Sequence, residues 1–91
     1  MPSAQESTDE PIMTDWQLLE QYTNSGSQRA FTQIVQRYIS LVYSVCVRCV
    51  RDRHLADDVT QAVFLLLARK ARLLRRRTTL AGWLLKTAQL A

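Results

Sequence analysis

The 91-residue sequence has few residues that break helices and few that bind metals, with two Gly, two Pro, two Cys and one His. So few turn-forming residues exclude a loop-rich fold, and an apolar fraction of 47% argues against disorder and favours a packed helical domain. The length allows one small domain with a modest core. No unbroken apolar run approaches the ~20 residues that a membrane-spanning helix needs, so we predict no membrane insertion.

The two cysteines are too few for a disulfide framework, although Cys46 and Cys49 form a C-x-x-C pattern. A thioredoxin-like redox site needs this pattern at a helix start after a strand. Here both cysteines lie in the middle of an amphipathic segment, on its apolar side, so we interpret them as small buried apolar residues. Residues 1–14 also lack the basic and apolar regions of a signal peptide, which predicts a cytoplasmic protein.

Basic residues are missing from residues 1–26, which carry five acids, whereas residues 27–91 carry all twelve Lys and Arg and only three acids. A basic body behind an acidic leader predicts a polyanionic partner such as nucleic acid. The alternative is the solvated surface of ordinary helices, and the charge balance leaves both interpretations open.

Hydrophobic spacing predicts four helices and no strand, which gives an all-α fold class, a small helical bundle. Residues 1–13 are polar and aperiodic, so we predict a disordered acidic tail there and a folded domain over 14–91. The helices are expected at about 15–24, 28–51, 54–72 and from Thr78 or Thr79 to Ala91. The last helix reaches the end of the sequence without a capping signal, so we expect a domain cut from a longer protein.

Local signals support these boundaries. Thr14, Ser27 and Asp52 are suitable N-caps, and Gly26 is a suitable helix stop. The longest apolar stripe belongs to the second helix and indicates its buried face. It consists of Phe31, Ile34, Val35, Tyr38, Leu41, Val42, Val45, Cys46 and Cys49.

The third predicted helix carries apolar residues on more than one side. At about 100° per residue, one side is expected to pack on the second helix. This side contains Leu55, Val59, Ala62, Val63, Leu66 and Leu67. The opposite side contains Asp57, Gln61, Phe64 and Ala68. An exposed aromatic flanked by an acid and an amide is typical of a docking face for another helix; alternatively, Phe64 covers a loop or the N-terminal tail.

A cluster of six basic residues lies within positions 69–77, which run from the end of this predicted helix through the following loop. It consists of Arg69, Lys70, Arg72, Arg75, Arg76 and Arg77. Some of them favour a helix C-terminus in any protein, but six exceed that role, and a flexible arginine cluster suits contacts with phosphates. Thr78 and Thr79 follow, with hydroxyls and backbone N–H groups at a helix start. On the last helix Gly82, Lys86 and Gln89 form a polar face. The other side is an apolar stripe made of Leu80, Trp83, Leu84, Thr87, Ala88 and Ala91.

The sequence contains no catalytic or cofactor motif. It has no Gly-rich phosphate loop, and no nucleophile can be paired with a base. His54, Asp57 and Asp58 are close along one helical turn, but no further ligand residue accompanies them. We therefore predict a protein that is not an enzyme and that has no cofactor and no metal site.

Two segments, DRHLADDVTQAVFLLLARKA and TTLAGWLLKTAQLA, resemble region 2 of the bacterial group IV (extracytoplasmic-function, ECF) sigma factors. The shared pattern is acid-x-x-Gln-x-x-Phe, here Asp58, Gln61 and Phe64, followed about twenty residues later by Trp83 and Leu84. Upstream, GSQRAFTQIVQRYISLVYSVCVRCV is similar to the family's opening, with a Gly-Ser helix start, an Ala-Phe pair and a tyrosine-containing stretch.

This resemblance implies a transcription initiation factor domain, a helical bundle that docks on the coiled coil of the RNA polymerase β′ clamp. It also implies recognition of the promoter −10 element, where the domain holds an extruded base of the non-template strand and helps to melt the duplex. The implied polymerase-binding residues are Asp57, Asp58, Gln61 and Phe64. The candidate DNA-binding residues are Arg75, Arg76, Arg77, Thr78, Thr79, Lys86 and Gln89.

The family also has a second, helix-turn-helix domain (region 4), which these 91 residues do not contain. An anti-sigma factor is a further partner that the resemblance allows. The residues themselves leave one alternative open, a helical protein-interaction module that does not bind DNA and that a partner sequesters.

Overall fold

The computed structural model describes residues 13–74 and 79–90. Its helices are α1 (Asp15–Ser25), α2 (Gln28–Val50), α3 (Arg53–Lys70) and α4 (Leu80–Leu90), with a 3₁₀ turn at Ala71–Leu73. None of the described residues forms a strand, and the all-α helical bundle predicted from the sequence is confirmed. Apart from Met13, the predicted tail lies outside the described residues.

Helix α1 begins and ends at the residues that the sequence indicates. The Thr14 hydroxyl accepts a hydrogen bond from the Gln17 backbone N–H at 3.1 Å, and the Thr14 N–H donates to Gln17 Oε1 at 2.8 Å. This reciprocal capping box gives partners to two backbone N–H groups at the helix start. Gly26 ends the helix in the left-handed region, with φ of 69°, where a residue without Cβ is favoured.

An ionic and hydrogen-bonded cluster holds α1 on α2. Arg37 Nη1 lies 2.9 Å from Asp15 Oδ1, and Arg37 also donates to the carbonyl oxygen of Met13. The Tyr38 hydroxyl donates to the other oxygen of Asp15. Burial, and to a smaller extent the hydrogen bond and the charge of Asp15, raise the pKa of Tyr38 to about 12. Below that pH the neutral phenol therefore remains a donor to the carboxylate.

The predicted stripe on α2 is buried only in part. Ile34, Val42 and Cys46 are fully buried, but Leu41 is 45% exposed. Cys49 is also exposed, so the prediction that both cysteines are buried is wrong for this residue. Helix α1 contacts the first half of α2 through the pairs Asp15–Arg37 and Tyr22–Phe31, and α3 and α4 also pack on α2.

Helix α4 completes the bundle by packing on α2 and α3. Its buried residues, Leu80, Leu84 and Ala88, repeat every four positions and confirm the apolar stripe predicted for it. Trp83 is partly buried and packs against the core, as its position on that stripe predicted. None of the helices in the described ranges is long and apolar enough to cross a membrane.

Candidate docking and nucleic-acid surfaces

Helix α3 starts where the sequence predicts, because Asp52 Oδ1 accepts a hydrogen bond from the Leu55 backbone N–H at 3.1 Å. Its buried side differs from the predicted one. The buried residues of α3 are Ala56, Thr60, Val63, Phe64 and Leu67. Of the six residues predicted to face the core, only Val63 and Leu67 are fully buried, whereas Leu55 and Leu66 are 48% and 36% exposed.

Phe64 is the main correction to the predicted docking face. Its side chain is only 6% exposed and belongs to the hydrophobic core, so the interpretation of Phe64 as an exposed aromatic is wrong. The reason is that α3 packs on both α2 and α4, and these two neighbours cover an arc that is rotated from the predicted one. Ala56 and Thr60 lie in this arc and are buried as well.

On the outer side of α3 the predicted polar residues are exposed, but the exposed apolar residue is Leu65 and not Phe64. Asp57, Asp58 and Gln61 are exposed, as the docking interpretation requires. Leu65 is 66% exposed and lies four positions after Gln61 and seven after Asp58, on the same side of the helix. We call Asp57, Asp58, Gln61 and Leu65 the α3 outer face. The exposed leucine at position 65 therefore takes the place among polar side chains that the sequence analysis had assigned to Phe64.

Sequence reasoning missed Leu65, although a signal for it exists. Five consecutive apolar residues from Val63 to Leu67 cover all sides of a helix. A helix that packs with one side only must expose at least one of them.

The start of the basic cluster lies at the end of α3. Arg69, Lys70 and Arg72 are all exposed, and Arg72 Nη2 donates to the carbonyl oxygen of Thr23 at 3.4 Å. This contact ties the 3₁₀ turn that follows α3 to α1. The candidate DNA-binding residues Arg75, Arg76, Arg77 and Thr78 lie outside the described residues.

Thr79 caps helix α4. Its hydroxyl accepts a hydrogen bond from the Gly82 backbone N–H at 3.0 Å, which is the geometry of an N-cap residue. A Cβ atom on Gly82 would lie 2.8 Å from the same hydroxyl oxygen, so glycine leaves room for this cap. Lys86 and Gln89 are exposed on α4, at the positions predicted to contact DNA.

The described ranges contain no group of three or more His, Cys, Asp or Glu residues that could hold a metal ion. The described surface offers an exposed leucine among polar groups on α3, and cations at the end of α3 and on α4.

The family model for sigma-70 region 2 matches residues 34–91, which include most of α2, all of α3, the basic cluster and α4. Searches among curated proteins and among solved structures find no match. Region 2 is the part of a sigma factor that contacts RNA polymerase and the promoter −10 element. Since the match covers more than half of the sequence, the chain belongs to the sigma-70 region 2 family.

Proposed function

We propose that the chain is the region 2 domain of an ECF (group IV) sigma factor, which docks on the β′ clamp coiled coil and recognises and helps to melt the −10 element. The acid-x-x-Gln-x-x-Phe pattern at Asp58, Gln61 and Phe64 supports the ECF assignment by its resemblance to that class. We place the domain at residues 14–91, because Thr14 caps α1 and because Leu18 and Leu19 of this helix are buried in the common core.

The exposure of Leu65 is the observation that carries the docking proposal. A leucine with two thirds of its side chain in solvent gains free energy when a partner covers it. Asp58 and Gln61 beside it supply hydrogen-bonding groups that fix the register of a partner helix. In this proposal Asp57, Asp58, Gln61 and Leu65 bind the polymerase, and Phe64 acts only by holding α3 in the core.

The DNA-binding part of the proposal uses the basic cluster and the exposed side of α4. When a cationic side chain neutralises a phosphate, the counterion that was bound to the nucleic acid is released. Arg75, Arg76 and Arg77 would therefore contribute affinity for a strand of any sequence. Lys86 and Gln89 project from a helix, and a rigid element can hold side chains against base edges where a loop cannot. Extruding a base costs a few kcal/mol, which phosphate contacts beside the opened strand would offset.

The docking proposal is tested by the affinity of the domain for bacterial RNA polymerase core enzyme. Leu65→Ala and Gln61→Ala should each weaken binding, by about tenfold for the central leucine. Leu41→Ala is the matched control, because Leu41 is also an exposed leucine, at 45%, but lies on α2. Equal affinities of the Leu65 and Leu41 variants would contradict docking through α3. An anti-sigma factor that covers the same face should compete with the polymerase.

The DNA part is tested with single-stranded oligonucleotides that carry matched and altered −10 sequences. Lys86→Ala and Gln89→Ala should change the preference among sequences more than the affinity for an unrelated strand. If the domain binds polymerase but no oligonucleotide in the presence of polymerase, the alternative of a protein-interaction module is favoured.

A further inference from the structure

Arg72 belongs to the basic cluster in the sequence, but its side chain contacts helix α1. Its Nη2 atom donates to the carbonyl oxygen of Thr23 at 3.4 Å, which joins residues 49 positions apart in the chain. Thr23 lies near the end of α1, where the last backbone carbonyls have no helical N–H partner. Among the three described residues of the cluster, only Arg72 forms a hydrogen bond to α1.

Helix α1 has no cation of its own at this end, because its last turn contains no basic residue. The chain then reverses. The Ser27 backbone N–H, which would bond to the Thr23 carbonyl oxygen if the helix continued, donates instead to the Gln21 carbonyl oxygen at 3.4 Å. Arg72 therefore supplies a hydrogen bond to a helix-end carbonyl and a positive charge at the negative end of the helix dipole.

The contact between Arg72 and α1 has open space around it. Two crevices, of about 350 and 140 Å³, lie between α1 and the end of α3 with its 3₁₀ turn, and Thr23, Ala71 and Arg72 line both of them. Because space adjoins the contact, neighbouring side chains do not replace it when the Arg72 side chain is shortened. Arg72 is thus a bridge across this space and not one member of a dense contact.

The 3₁₀ turn leads directly towards the three arginines that we propose to bind the strand. Ala71 is buried at 4% exposure, and the Leu74 backbone N–H donates to its carbonyl oxygen at 3.3 Å. Leu74 is partly buried and packs against the core. Arg75, Arg76 and Arg77 follow Leu74 in the sequence. Since consecutive Cα atoms are about 3.8 Å apart, the position of Leu74 fixes where this basic segment begins.

We propose that Arg72 is a positioning residue for the −10 surface. It holds the 3₁₀ turn on α1, so that the segment 75–77 starts from a fixed place when it meets the phosphates of the strand. Ordering the start of the segment before binding lowers the entropy that binding would otherwise cost. Arg72 itself contacts α1 and not the DNA, although the sequence places it among the phosphate-binding cations. This inference rests on the proposed DNA-binding function and gives α1 a part in it.

A double-mutant cycle separates positioning from direct contact. Arg72→Gln is made in the parent and in a variant with Arg75, Arg76 and Arg77 changed to Gln, and the affinity of each holoenzyme for single-stranded −10 DNA is measured. Arg72→Gln should weaken binding by about 3- to 10-fold in the parent. In the triple variant its effect should fall below about twofold, because Arg72 acts through the three arginines. The same loss in both backgrounds would show that Arg72 binds DNA directly and would overturn the proposal. If the triple variant itself binds like the parent, the DNA-binding role of the segment fails, and positioning fails with it.

Arg69→Gln is the matched control. Arg69 is also exposed and lines the larger of the two crevices, but within the described ranges it donates no hydrogen bond to α1. Its replacement should weaken DNA binding less than Arg72→Gln does. Hydrogen exchange of the Leu74 backbone amide gives a readout that needs no DNA. Exchange should be faster in Arg72→Gln than in the parent and unchanged in Arg69→Gln, while circular dichroism shows both variants to be as helical as the parent. Unchanged exchange in Arg72→Gln, or equal losses of DNA affinity for the two variants, would overturn the positioning role.

Discussion

Phe64 and Leu65 are neighbours in the sequence but have opposite environments. Phe64 is 6% exposed and Leu65 is 66% exposed, because one residue turns the side chain by about 100° around a helix. The family pattern contains the aromatic residue, whereas the packing of α3 leaves the leucine exposed to solvent. The two residues therefore allow stability and docking to be separated by adjacent substitutions.

We expect Phe64→Ala to lower the free energy of unfolding by about 3–5 kcal/mol, since it leaves a cavity in the core. Leu65→Ala should change it by less than about 0.5 kcal/mol, as is usual for surface positions. Denaturant titrations followed by circular dichroism measure both values. Similar losses for the two variants would mean that α3 is rotated from the arrangement described above.

A second residue-scale prediction concerns alkaline pH. The pKa of Tyr38 is about 12 in the folded protein, raised from an ordinary value of about 10 by burial and by its hydrogen bond to Asp15. The folded state therefore favours the neutral phenol. Its contribution to stability is complete below pH 10 and is lost as the pH rises towards 12.

Unfolding free energies of the parent and of Tyr38→Phe, measured at several pH values from about 9 to about 11.5, test this contribution. The difference between the two proteins should be constant below about pH 10 and should shrink above it. A difference that does not change with pH would show that the Tyr38 proton is not linked to folding. Tyr22→Phe controls for the general titration of tyrosines.

At the scale of single elements, the sequence predicts where helices begin and end better than which side they bury. Thr14, Ser27 and Asp52 act as N-caps because capping depends on side-chain and backbone groups within three residues. The buried side of α3 depends instead on where α2 and α4 lie. Apolar residues occur all round this helix, so its sequence alone admits more than one orientation.

The residues that we propose for docking follow the same distinction. Asp57, Asp58 and Gln61 are exposed as predicted, because charged and amide side chains are seldom buried in any orientation of the helix. For Phe64 the orientation of the helix decides whether the side chain is buried. Ile39 and Tyr43 of α2 line one crevice together with Thr60 of α3. Because this crevice lies between two helices, it could not be predicted from the residue spacing within either helix.

The helix ends at Gly26 and Arg51 make a matched pair. Both residues adopt left-handed conformations, with φ of 69° and 56°. Gly26→Ala should cost about 1 kcal/mol, and this cost is conformational, because no atom lies within 4 Å of the added Cβ. Arg51→Gly should stabilise the domain by about 0.5 kcal/mol, because the left-handed strain of arginine exceeds the entropy cost of glycine.

Thermal or chemical unfolding of the two variants measures these changes, and Gln28→Ala serves as a control at an exposed position next to the first helix end. The prediction is wrong if both substitutions shift stability in the same direction.

The start of α4 supports a coupled prediction. Thr79→Ala should cost about 1 kcal/mol by removing the cap. Gly82→Ala should be nearly neutral in the parent, because the gain in helix propensity is offset when the added Cβ displaces the Thr79 hydroxyl, 2.8 Å away. In the Thr79→Ala background the same change should stabilise the domain by about 0.5–1 kcal/mol. Unfolding of the four proteins of this double-mutant cycle gives the coupling, and additive effects would exclude it.

At the scale of the whole molecule, the basic residues outnumber the acids and collect at both ends of α3. Arg48, Arg51 and Arg53 lie where α2 joins α3, and the basic cluster begins where α3 ends. Because α3 has 18 residues, the two groups are separated by about 27 Å along its axis. General attraction of DNA to a cationic protein would involve both groups, whereas a −10 binding surface at the basic cluster would involve one.

Two variants with the same net charge distinguish these possibilities. The first changes Arg75, Arg76 and Arg77 to Gln, and the second changes Arg48, Arg51 and Arg53 to Gln. For the holoenzyme on single-stranded −10 DNA, the first variant should flatten the plot of log affinity against log salt by roughly 0.7 for each phosphate that is no longer neutralised. The second should keep the parental slope, since its residues lie at the opposite end of α3, about 27 Å along the helix axis from the start of the basic cluster. Equal flattening by both variants would mean that overall charge attracts the DNA and that the basic cluster does not bind the strand specifically.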